Sequence, residues 1–456
     1  MITFFEIQPG EEVDEILQNF EKRIADKAYF DVDELEDIID HFFEKGYIPA
    51  AANAIELGRQ LHPNNNDIQL RQAKLYAIQG KLEEALQLTE EIDKIEHNDL
   101  ENMMLRGEIL LRLDKDREAE TVFDNLLQNE LENKELLCLD IANIYMNIAG
   151  FNGAERFLRI GYEANPKNLD VMLGLAFVLQ HKNEDSKEAI EIYNRMIDLE
   201  PYSVEAWFNL GQTYMAQGKP DKAVEAFGFV TAIDDTNMNA WLQKAHAYFE
   251  NENYQKAIDT YSVFLEKTEN KEFPLLYIGE CYEEMEQYYK AMEYYDKALE
   301  INPDFVDAYL GLSTCMLAME CFAECLTCTD QALLLEPSCA ETWIYRAEAY
   351  IGLEKIDDAI AAYEKSLKLD DTQVETYIAL GNLYLDKGDY YNSLYCFQNA
   401  ENFEVEIENL HLFLAINYCK LEQYPQMLVH LIFAIIENKE AYDAFLEFCP
   451  EMKEEK

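Results

Sequence analysis

Basic residues are scarce in this 456-residue chain beside acidic ones: 37 Lys and Arg stand against 90 Asp and Glu, a formal net charge of −53. Such a surface repels phosphate backbones and anionic headgroups, which argues against nucleic acid and membrane surfaces as partners and favours basic or apolar ones. The same charge also serves solubility without any partner. Glycine and proline are scarce, at 17 and 11 residues, which excludes a turn-rich all-β fold and long irregular linkers. Long apolar runs are missing too. "MLVHLIFAII" (427–436) is interrupted by His430 and too short to span a bilayer. The start, "MITFFEIQPGEEVDEI", has neither a basic n-region nor an apolar run of signal-peptide length, so the expected compartment is the cytoplasm. Ten irregularly spaced cysteines are then expected to be reduced.

Motifs that carry chemistry are also lacking. The seven histidines form no H-E-x-x-H, and no two of them lie four residues apart. No G-x-x-x-x-G-K-[ST] loop and no G-x-S-x-G elbow occurs. Adjacent acids such as Glu283 and Glu284 are expected on a solvated face in a chain with 90 of them. Neither an enzyme nor a bound cofactor is expected.

What the chain does have is self-similarity. "AWFNLGQTYMAQGKPDKAVEAF" (206–227), "TWIYRAEAYIGLEKIDDAIAAY" (342–363) and "TYIALGNLYLDKGDYYNSLYCF" (376–397) share one frame. Anchored on its second small residue, the frame runs through Ala51, Ala85, Ala119, Ala154, Ala189, Ala223, Ala257, Ala291, Cys325, Ala359, Ser393 and Met427. Successive anchors are 34 residues apart except for two steps of 35. Twelve residues before most anchors comes another small residue, such as Gly107, Gly211, Gly279 or Gly381, and four after it an aromatic, such as Phe123, Phe227, Tyr295 or Phe397.

The pattern is that of a helix pair. Gly46, Gly80, Gly218 and Gly388 fall where a left-handed residue would end the first helix. Pro63, Pro166, Pro201, Pro303 and Pro337 fall where a proline would block continuation of the second. Apolar residues between these stops recur at three and four, so each segment is an amphipathic helix. No single pair buries its apolar face alone, so neighbours must stack. The frame predicts about twelve pairs over residues 32–438, with an N-terminal capping helix region over 1–31 that sets Ile16, Leu17, Phe20 and Ile24 on one face. A short final helix carrying Tyr442, Phe445 and Phe448, then an acidic tail, are expected over 439–456.

The period, the W-x2-L-G-x2-Y run at Trp207, Leu210, Gly211 and Tyr214, and the later Ala, aromatic and Pro positions resemble the tetratricopeptide repeat. That resemblance implies an all-α, right-handed superhelical solenoid of antiparallel helix pairs. It also implies a noncatalytic scaffold or adaptor that binds peptide segments or whole proteins in a groove lined by the first helices. On that face this sequence sets one apolar residue per unit near the helix start, from Leu70 through Phe208, Leu242, Leu276 and Leu310 to Leu412. A second stripe seven residues later includes Leu111, Met215, Phe249 and Leu385. Acids flank the stripes, among them Asp307, Glu341, Glu280 and Glu348. The central candidates are Phe177, Phe208, Met215, Leu242, His246 and Phe249, with Glu280 and Asp307 beside them, suited to a partner segment with apolar anchors and basic flanks. Acids in a first helical turn also suit the helix dipole with no ligand, and the stripe also suits burial between neighbouring helices.

One string invites an alternative. "ECFAECLTC" carries Cys321, Cys325 and Cys328 in a C-x3-C-x2-C order that resembles an iron–sulfur cluster motif. The repeat frame places all three on one face of a second helix, within an arc of roughly 60° at about 100° per residue, where cysteine packs as a small hydrophobe. A metal- or redox-active protein built on those thiols is the rival reading.

Overall fold

A computed structural model describes residues 15–97, 99–129, 133–182, 187–403 and 407–453. Among the described residues the chain forms 26 α-helices and one short 3-10 turn, with no strand. It divides into two compact units, Met1–Lys219 and Pro220–Lys456. The first holds α1 (Glu15–Ala25), α2 (Val32–Glu44), α3 (Ile48–Leu61), α4 (Asn66–Ile78), α5 (Leu82–Ile95), α6 (Leu100–Arg112), α7 (Asp116–Asn129), α8 (Lys134–Asn147), α9 (Phe151–Ala164), α10 (Leu169–Lys182), α11 (Lys187–Leu199) and α12 (Val204–Ala216). The second holds α13 (Pro220–Ile233), α14 (Met238–Glu250), α15 (Tyr254–Lys267), α16 (Glu272–Glu284), α17 (Tyr288–Ile301), α18 (Val306–Ala318), α19 (Phe322–Leu335), α20 (Ala340–Gly352), α21 (Ile356–Leu369), α22 (Val374–Asp386), α23 (Tyr390–Glu401), α24 (Leu410–Lys420), α25 (Tyr424–Glu437) and α26 (Ala441–Phe448). Within each unit consecutive helices pack on one another, giving an all-α stack of helix pairs.

Local chemistry sets the helix ends. Asp31, Asn65, Asp99, Ser203 and Asn237 each cap a first helix by accepting a hydrogen bond from the backbone N–H three residues on. The prolines at 63, 166, 201, 303 and 337 each fall two residues beyond the end of a second helix. Between the helices of a pair the chain reverses through one residue of positive φ: Gly46, Gly80, Gly218 and Gly388 take it at φ 72°, 77°, 62° and 76°. Asp114, Ala149, Glu252, Glu286, Glu320, Glu354 and Glu422 occupy the same frame position, with φ between 53° and 59°.

The anchor residues are the core. Eleven of the twelve are 0% exposed and Met427 is 1% exposed, with Phe123, Tyr193, Phe227, Tyr295 and Phe397 fully buried four residues further on. Small and large residues interlock: a Cβ on Gly279 would lie 2.4 Å from Tyr295 Cε1, and one on Gly107 only 2.2 Å from Phe123 Cζ. Backbone approach is thus matched to ring thickness.

The ends depart in detail from expectation. α1 buries Leu17 and Phe20 against Phe30 and Phe42, with Ile24 packed at the margin, but Ile16 is 40% exposed and stays outside the core. In α26 only Phe445 of the three named aromatics is buried, while Tyr442 and Phe448 stay exposed. Residues 1–14, which include most of the opening segment read for an export signal, and the last three residues of the acidic tail lie outside the described residues. No helix among the described residues is long and apolar enough to cross a membrane.

Candidate functional site

The candidate residues fall on both units. On the first, Phe177 of α10 is 39% exposed and stacks obliquely on His181 at 3.9 Å. Phe208 and Met215 of α12 are half-buried. On the second, Leu242 and Phe249 of α14 are half-buried beside a core of Ala245, Ala257, Ile258 and Tyr261, and the Phe249 ring meets Tyr254 edge-on at 5.5 Å. His246 sits between them on the same helix. Its Nδ1 lies 2.8 Å from the Tyr261 hydroxyl, and its ring packs edge-on against Tyr277 of α16 at 5.0 Å. Burial pushes His246 below the ordinary histidine range, which favours the neutral ring.

The apolar stripes are partly closed. Leu70, Leu276 and Leu412 are 4%, 6% and 7% exposed, and Leu111 and Leu385 are also buried, so these five serve the core and offer no accessible floor. Neighbouring first helices pack on one another in several places, as α16 does on α18. In the second unit the half-exposed place beside Leu276 belongs to Tyr277.

Next to Tyr277 the electrostatics are unusual. Glu280 on α16 is half-buried, and its pKa is raised to about 7 by desolvation and then by Glu283, Asp307 and Glu284. Asp307 is exposed at the first turn of α18. Among the described residues no Lys or Arg forms an ion pair with any of these four acids. Glu283 corrects the expectation of a solvated pair: its Oε2 accepts a hydrogen bond from the Tyr295 hydroxyl at 2.7 Å and faces the Cys315 thiol at 3.9 Å. Tyr277 carries no expectation from the sequence, and Glu283 only that of a solvated acid. Their signal is the frame itself, since each lies three residues from Glu280 and shares a helix face with it.

The thiols do not assemble. Among the described residues Cys315, Cys321, Cys325 and Cys328 form no disulfide, and no three of them bring their sulfurs within 4.8 Å of one another. Cys325 is fully buried as an anchor, but Cys321 is the residue before α19 and not a member of it, so the three are not one helical face. Burial raises Cys325 to about 12 and Cys328 to about 11, which disfavours the thiolate a metal or electrophile would need. One group of three ligand-type side chains does converge among the described residues: Glu401, His411 and His430. Finally, α25 buries Met427, Leu431 and Ala434 but leaves Leu428, Val429, Ile432, Phe433 and Ile436 exposed.

The 34-residue frame, the buried small anchors and the paired helices define a helix-pair repeat protein. The chain carries tetratricopeptide repeats: the model described as Tetratricopeptide repeat matches residues 274–305, one described as TPR repeat matches 347–388, and one described as Anaphase-promoting complex, cyclosome, subunit 3 matches 182–264. Among curated proteins, it is 25% identical to human Protein O-mannosyl-transferase TMTC3 over 187 residues, covering 40% of this chain and 20% of that protein. It is 26% identical to BBSome complex member BBS4 of Bos taurus over 155 residues, covering 34% of this chain and 29% of that protein. The match thus spans less than a third of the length of either relative. Among solved structures, yeast Tom70 is similar over 86% of this chain and 96% of its own, at 14% identity and a TM-score of 0.47. The APC/C hetero-tetramer Cut9-Hcn1 is similar over 88% of this chain and 98% of its own, at 14% identity and a TM-score of 0.40.

Proposed function

We propose that this chain is a noncatalytic, cytoplasmic protein-interaction scaffold. Its second unit takes a partner segment with apolar anchors and basic flanks on the face that carries Leu242, His246, Phe249, Tyr277, Glu280 and Asp307. Glu280 is the observation that carries the reading. A carboxylate in partly dry surroundings, pressed by three other acids and given no cation among the described residues, gains more from a docked Lys or Arg than a solvated acid would. The half-buried rings of Tyr277 and Phe249 supply apolar surface beside it. Phe177, Phe208 and Met215 offer similar surface on the first unit. The tetratricopeptide repeats support binding of protein partners, as does the likeness to a protein named as a complex member.

The test is capture of partners from lysate by the full chain, then binding of the recovered segment measured directly with wild type and with Glu280→Lys, Asp307→Lys. The double variant, still helical by circular dichroism, is expected to bind at least tenfold more weakly, and Phe249→Glu to lose affinity as well. Unchanged affinity in both variants would sink the assignment of this face.

A further inference from the structure

At the last helix pair of the second unit, three helices bring metal-ligand atoms together. Glu401 ends α23, His411 lies in the first turn of α24, and His430 lies midway along α25. The two Nδ1 atoms are 3.1 Å apart, and Glu401 Oε1 is 3.8 Å from the first and 3.7 Å from the second. We propose that Glu401, His411 and His430 form a binding site for one divalent transition-metal ion of the zinc class.

The geometry supports an ion at the centre of this triangle. Tetrahedral zinc with Zn–N and Zn–O near 2.0–2.1 Å sets its ligand atoms about 3.3 Å from one another. The three separations here bracket that value and need shifts of only a few tenths of an ångström. The rings are already held in place: His411 stacks on Phe433 at 5.1 Å and His430 on Tyr418 at 5.3 Å. On the far side of His411, Nε2 lies 3.6 Å from Glu437 Oε1. That carboxylate favours a proton on Nε2 electrostatically, and a few tenths of an ångström would bring it into hydrogen-bond range, which leaves Nδ1 as the unprotonated ring nitrogen. A carboxylate behind a ligating imidazole is the usual device for fixing tautomer and orientation at metal sites. Two imidazoles and a carboxylate select a borderline ion such as zinc over calcium or magnesium, which prefer all-oxygen shells. Three protein ligands leave one position open, and the cleft lined by Glu401, His411, Glu437 and Asn438 gives access to it.

The full chain, stripped with chelator, is titrated with Zn²⁺ by calorimetry and with Co²⁺ by visible absorption, in excess Mg²⁺ to occupy the remaining acidic surface. One ion per chain is expected, with the intense d–d bands of tetrahedral cobalt and no sulfur-to-cobalt charge transfer. His411→Gln and His430→Gln are expected to weaken Zn²⁺ binding at least 100-fold. Glu437→Gln should weaken it about 10- to 100-fold through the ring it orients, and Cys321→Ser, Cys328→Ser should change nothing. Glu401→Gln, at a partly exposed position where the fold is not at stake, decides the matter if a histidine variant misfolds. Absence of a saturable site, affinity unchanged in Glu401→Gln and Glu437→Gln, or thiolate charge-transfer bands would each overturn the proposal.

Discussion

A carboxylate that faces three other acids in partly dry surroundings, as Glu280 does on α16, keeps its proton to about pH 7 in the folded chain and loses it at the ordinary carboxylate value when unfolded. Between those values the folded state binds the extra proton, so stability is highest at the acid end of the window and falls as pH rises toward 7. Glu36 on α2 is raised to about 7 as well, by desolvation first and with Arg71 opposing, and adds to the same slope. Thermal midpoints followed from pH 5 to pH 8 should therefore decline, and Glu280→Gln should flatten part of that decline and raise the midpoint at pH 8. A variant with the wild-type slope would show that Glu280 titrates normally. Affinity for a basic segment should run the other way and rise with pH as Glu280 ionises. Glu280 itself was legible in the sequence, because the frame sets it on the first-helix face beside Asp307. Its environment was not: Glu283 reads as one more surface acid until Tyr295 and Cys315 are found against it.

At the scale of the helix pair, the repeat spacing is legible because it records packing. A small anchor recurs wherever two backbones approach, and an aromatic recurs wherever the gap must be filled, so helices and core follow from the period alone. Juxtapositions between helices are harder to read. His411 and His430 are 19 residues apart on successive helices, a spacing that no intra-helix motif covers, and Glu401 comes from the preceding pair. The turn inside each pair lies between these cases. Four glycines announce it, and the frame extends it to Glu252, Glu286, Glu320 and Glu354, which hold φ of 53° to 59° without glycine's freedom. The left-handed conformation costs an L-residue roughly 1–2 kcal/mol. Relief by glycine is partly offset by the added freedom of the unfolded chain, about 0.4–1 kcal/mol. Each of these four Glu→Gly changes should thus stabilise by up to about 1 kcal/mol, with effects nearly additive across separate turns. Urea denaturation of the single and fourfold variants checks this, and a fourfold variant weaker than wild type would mean the side chains hold their turns in some other way.

For the molecule as a whole, charge outweighs any single pair. With 37 bases against 90 acids, one-to-one pairing leaves at least 53 acids without a basic partner. The ion pairs that form are mostly at the surface, such as Arg156 with Asp124 and Arg159 with Glu188, where each contributes about 0–1 kcal/mol. Self-repulsion therefore opposes the compact state more than these pairs support it. Raising NaCl from about 0.01 M to about 0.1 M shortens the screening length from about 30 Å to about 10 Å. The thermal midpoint should rise over that range at pH 7.5 and rise less at pH 5, where part of the acidity is neutralised. The same salt should weaken capture of a basic segment, since that attraction is screened by the same ions. Stability and binding are thus expected to respond to salt with opposite signs. Scanning calorimetry and a binding isotherm at matched ionic strengths test both at once. A midpoint that falls with salt would place the ion pairs above the repulsion. Salt-independent binding would mean that the apolar rings of the second unit, not Glu280 and its neighbours, hold the partner.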